Sequence, residues 1–89
     1  MNHQPDSADM DVRQKALFEK ARKGVIKFLD DKGQATLAEL HDYSLNRYLI
    51  QHQAFSRLME TLVNEKLVEY DFTKDVATVT EAGKKFVAA

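Results

Sequence analysis

Eighty-nine residues without a cysteine leave room for one small domain held by its apolar core alone, with no disulfide and no thiol as nucleophile or ligand. No apolar run approaches the roughly 18 residues of a membrane span, and the start MNHQPDSADMD has neither a basic nor an apolar leader segment, so a soluble cytoplasmic protein is expected. Thirteen basic against fourteen acidic side chains give a net charge of −1, which excludes a whole-molecule basic signal and makes any nucleic-acid footprint local.

Residues 1–8 are polar, hold the only proline and His3, and show no period; they are expected to form a disordered tail before a single domain over 9–89. From Asp9 to Lys32 the residues Leu17, Phe18, Ala21, Val25, Phe28 and Leu29 share an arc of about 120° on a helix, which predicts one buried face. Ile26, with Val12 and Ala16, points away from that arc, which marks either a minor contact for another subunit or, as expected, an isolated exposed isoleucine. Gly33 suits the left-handed position past the helix end. Gly24 lies mid-helix, where glycine costs about 1 kcal/mol against alanine, so either a close neighbour requires it or it is tolerated.

In QATLAEL, Thr36 and Glu39 have the spacing of a capping box and start a second helix with Leu37, Leu40 and Tyr43 as core contacts. HDYSLNRYLI has no clean period, so that helix's end is loosely placed. A third helix, about 49–64, turns Phe55, Leu58, Met59 and Leu62 inward and Gln53, Ser56, Arg57, Glu60, Thr61 and Asn64 outward. LVEYDF and VATVT read as strands joined by TKD, a hairpin over 67–80 that lacks a glycine for a left-handed turn position. Thr80 caps a last helical segment whose Phe86 returns to the core.

The predicted class is therefore α+β, mainly α: three helices, a two-stranded β-hairpin and a short C-terminal helix. This order, with FSRLMETLVNEKLVEY running from third helix into hairpin, resembles the winged helix-turn-helix domains of bacterial regulators. VTEAGKKF is similar to the strand, Thr cap and Gly that close the wing in the multiple-antibiotic-resistance regulators, a likeness covering roughly residues 33–88. KGVIKFLDDK, LMETLVNEKLVEY and EAGKKFVAA also resemble the small D protein of dissimilatory sulfite reductase operons, from which this chain departs in its longer N-terminal segment and its linker from second to third helix. The first resemblance implies a DNA-binding transcriptional regulator with the third helix as reader and the hairpin as wing. The second implies a protein-binding regulatory subunit of an enzyme complex, without cofactor.

A reader helix of this sequence has suitable chemistry. Gln53 matches adenine edges, Arg57 matches guanine, and Ser56 or Thr61 can reach bases or phosphates. Gln51 and His52 stand at its leading end, Arg47 precedes it, and Lys74 is the hairpin's cation, flanked by Asp71 and Asp75. Glu60 on the same face opposes phosphates. Arg13, Lys15, Lys20, Arg22, Lys23 and Lys27 make the first helix the densest positive segment, but Glu19 spaced four from Lys23 favours an ordinary solvated face. His41, His52, Asp42 and Glu39 match no metal-ligand spacing, so no metal is expected. Tyr48 beside Arg47 is the best stacking candidate among Tyr43, Tyr48 and Tyr70, though half-buried tyrosines are commoner. Catalysis would require Ser44 or Ser56 to meet His41 or His52, and no phosphate loop or carboxylate pair is visible; no enzyme is expected. The expected protein binds duplex DNA or, alternatively, a protein partner, as a monomer or weak homodimer.

Overall fold

The computed structural model describes the backbone of residues 5–88 and the side chains of residues 13–88. Its elements are α1 (Pro5–Lys32), α2 (Leu37–Tyr48), α3 (His52–Asn64), β1 (Val68–Asp71), β2 (Val76–Val79) and α4 (Glu81–Ala88). This is the expected mainly-α α+β order, a winged-helix-like layout. Helix α1 begins at Pro5, inside the segment expected as tail; proline is tolerated in a first helical turn, where its missing N–H has no partner to lose. His3 and the remainder of the tail lie outside the described residues.

Helix α1 is the centre of the molecule, touched by α2, α3, β2 and α4. That encirclement corrects the expected buried face. The buried residues Ala21, Val25, Leu29, Arg22 and Ile26 span about 140° of arc, rotated past the predicted stripe. Ile26, expected outside, is fully buried, whereas Leu17, expected inside, is 52% exposed. Leu17 lies outside that arc and faces a groove beside Tyr48 and Leu49. Gly24 admits the Tyr48 side chain of α2: a Cβ there would collide with the Tyr48 ring and hydroxyl.

The ends of the helices follow local chemistry. Gly33 has φ +88° and its N–H donates to the Leu29 carbonyl at 2.8 Å. Thr36 and Glu39 form the predicted capping box, with the Glu39 N–H donating to Thr36 Oγ1 at 3.1 Å and the Thr36 N–H to Glu39 Oε1 at 2.9 Å. Helix α2 closes at Leu49, which adopts a left-handed conformation, φ 58°; the Leu49 and Ile50 N–H groups donate to the Leu45 and Ser44 carbonyls. On α3 the predicted inward residues Phe55, Leu58, Met59 and Leu62 are all buried.

Strands β1 and β2 pair antiparallel, Val68 with Val79 through Asp71 with Val76. Ala35 adds a single bridge to Ala77, tying the α1–α2 connection to the hairpin. The loop has four residues, Phe72–Asp75, because Phe72 leaves the strand. Asp75 takes the left-handed position that lacks a glycine, φ 53°, and Asp71 Oδ1 accepts from the Thr73 and Lys74 N–H groups. Thr80 Oγ1 donates to the Lys66 carbonyl at 2.7 Å and accepts from the Gly83 N–H at 3.0 Å, capping α4 as expected. Gly83 packs directly on the Leu67 carbonyl, where no Cβ fits, and Phe86 rests against the core.

Candidate binding face around the third helix

The apolar ridge of α3 fixes the orientation of its polar side. Gln53, Ser56, Arg57 and Glu60 are exposed and Thr61 is half-buried, its hydroxyl donating to the Leu58 carbonyl at 2.8 Å. Gln51 is the N-cap but makes no side-chain capping hydrogen bond, so the first N–H groups of the helix have no side-chain cap.

The candidate residues divide among three places. Arg47, Gln51 and Arg57 line one groove with Leu17, Phe18 and Lys20 of α1 and with Tyr48, Leu49 and Ile50 of the α2–α3 connection. Thr61 and Arg57 line a hollow continuous with it, beside Gln14, Lys15 and Glu19. Gln53 and Ser56 stand on the outer face. His52 turns to the opposite flank, where its ring meets the His41 ring edge-on at 5.6 Å, and His41 packs on Phe55 at 4.9 Å. Lys74 lies on the hairpin in a separate hollow, near Lys66 but also Glu69 and Asp71. Arg57 therefore leans towards α1 and Ser56 towards the hairpin side, with Gln53 and Glu60 between them.

Other candidates acquire structural partners. Arg22 is 6% exposed and is not part of a solvated basic face: its guanidinium donates to Glu19 at 2.8 Å and to Glu65, and it lies over the Phe86 ring. Glu19 thus pairs with Arg22 rather than with Lys23. Burial works against the Arg22 charge, but the hydrogen bonds and the attraction of Glu19 and Glu65 prevail and raise its pKa further. Tyr43 stacks on Phe28 at 4.2 Å and meets the edge of Tyr48 at 6.0 Å, so both tyrosines brace α2 against α1. Burial, then the Tyr48 hydroxyl, raises the Tyr43 pKa. Tyr70 donates to Asp75 Oδ1 at 2.7 Å, a bond that raises its pKa and stiffens the hairpin. The Ser44 hydroxyl is fully buried and donates to the His41 backbone carbonyl at 2.9 Å, a helix-internal bond rather than a contact with the imidazole. Among the described residues no three His, Asp or Glu converge to hold a metal ion, and no helix is long and apolar enough to cross a membrane.

Sequence reasoning missed the groove itself. Leu17 was placed in the core, and Leu49 sat in a stretch without a period. No signal in the sequence marked Leu49, because the end of α2 is not set by a glycine or asparagine. Comparison of the chain with protein-family models, with curated proteins and with solved structures finds no match.

Proposed function

We propose that the protein is a small winged-helix DNA-binding protein that acts in transcriptional regulation, by binding rather than catalysis, with α3 in the major groove and the β1–β2 hairpin against the adjoining backbone. The observation that carries this reading is the outer side of α3. Four buried residues hold the helix from behind, while Gln53, Ser56 and Arg57 are exposed in front of an uncapped N-terminus. Uncapped N–H groups and Arg47 suit phosphates at the leading end, and Gln53 and Arg57 carry the amide and guanidinium that pair with adenine and guanine edges. Net charge of −1 limits the phosphate contacts to a few, so Arg47 and Lys74 are assigned one each, and Arg57 supplies a third only where it does not read a guanine.

Binding to a fluorescent duplex, titrated between about 50 and 200 mM salt, tests the reading. Two or three phosphate contacts predict a slope of about −2 to −3 in log K against log salt. Arg57→Ala should lower that slope by about 1 if Arg57 neutralises a phosphate. A sequence-dependent loss of about 1–3 kcal/mol is expected instead if it reads a guanine. A slope near zero, or no binding at the low-salt end, would overturn DNA as the ligand.

A further inference from the structure

We propose that the groove between the N-terminal half of α1 and the α2–α3 connection docks an amphipathic, acidic α-helix of a partner protein. This inference stands on the groove and not on the DNA reading.

Leu49 is the first observation. It is 78% exposed and holds φ 58°, a backbone conformation that side chains other than Asn and Asp seldom adopt. Glycine would close α2 without strain and without putting a large apolar side chain into water. Neither the cap nor the core benefits from leucine here. Leu17, 52% exposed, faces the same groove from α1, and Phe18, Tyr48 and Ile50 supply apolar surface alongside. Two of the four large apolar side chains most exposed among the described residues therefore meet in one place.

Among the described residues the charge lining that surface has one sign. Lys20, Arg47 and Arg57 line the groove, and no carboxylate among the described residues does. Glu19, in the adjoining hollow, is bound to Arg22. In a chain of net charge −1 this is a local arrangement, and it selects an occupant that brings apolar side chains flanked by Asp or Glu. Nucleic acid would meet the basic groups but leave Leu17 and Leu49 without a partner.

Shape decides between a small molecule and a helix. The groove holds about 830 Å³, the scale of a ligand pocket, but its walls include Leu49 and Leu17, both more than half in water. A small anionic ligand would remain wet on its outer side. A helix laid between α1 and the start of α3 covers the leucines with its apolar stripe and carries its own polar back.

The test uses the full chain and a fluorescein-labelled synthetic helix with Leu at positions i, i+3, i+4 and i+7 and Glu elsewhere, read by anisotropy. Saturable binding is expected, with at least about tenfold weaker binding of a scrambled peptide of the same composition. Leu49→Gly removes the exposed side chain and relieves the left-handed backbone, so it should melt no lower than the parent while binding the peptide about tenfold more weakly. Lys20→Glu should weaken binding by a similar factor and reduce its salt dependence. Equal binding of the scrambled peptide, an unchanged affinity in Leu49→Gly, or no saturation up to about 1 mM would overturn the proposal. Sedimentation of the peptide-free protein closes the remaining route: a dimer abolished by Leu49→Gly assigns the groove to a second copy and overturns a partner helix.

Discussion

Arg22 shows how one side chain can knit a small fold without a disulfide. Its stem lies in the packed face of α1, its guanidinium reaches Glu65 just past α3, and Phe86 of α4 covers it. Because Glu19 and Glu65 are each about half exposed, 53% and 51%, they regain water if the arginine is removed. Arg22→Ala is therefore expected to cost about 1–3 kcal/mol, less than breaking a wholly buried pair, and Arg22→Met should recover part of it by restoring the stem's packing. Urea unfolding midpoints of the two variants check both values. The sequence offered no sign of this role, since Arg22 stood among six basic residues on one helix, and only the convergence of α1, α3 and α4 distinguishes it.

The elements themselves were mostly legible, because their ends are set by short-range chemistry. Thr36 with Glu39, Gly33 after α1 and Thr80 before α4 each act within a few residues of chain. Glu39 makes its cap pH-dependent: the Thr36 N–H, and then Lys32, hold its carboxyl below the ordinary glutamate value. A depressed folded pKa contributes stability that is present above the unfolded value and lost as pH falls through the folded one. Glu39→Gln keeps an accepting oxygen at that position but does not titrate. Its unfolding midpoint should accordingly decline less on acidification below about pH 4.5 than that of the parent, measured in a urea series at several pH values. The hairpin loop was less legible. Asp71 and Asp75 supply by side-chain hydrogen bonding and a left-handed φ what glycine usually supplies, and they lift Phe72 out to 87% exposure.

On the scale of the molecule, α1 is both the centre of the core and one wall of the groove. Its buried residues run from Ala21 to Leu29 in its C-terminal half, and α2, α3, β2 and α4 all touch it. Arg47 and Arg57 belong at once to that groove and to the flank of α3 proposed for DNA. The two ligands should then exclude each other: adding the acidic helix to a preformed complex with duplex should release the DNA, and should fail to do so with Leu49→Gly. A ternary complex of unchanged DNA affinity would separate the two surfaces.

By itself the sequence determined the helix, helix, helix, hairpin, helix order, the inward ridge of Phe55, Leu58, Met59 and Leu62, and the caps at Gly33, Thr36 and Thr80. Periodicity and capping act between residues near in the chain, so they can be read without a fold. Tertiary structure alone decided that Ile26 is buried and Leu17 is not, that Arg22 is a staple, and that Arg57 shares a groove with Leu49 while Lys74 stands apart. Each of those outcomes depends on which distant element covers a given side of a helix, and α1 is covered by four.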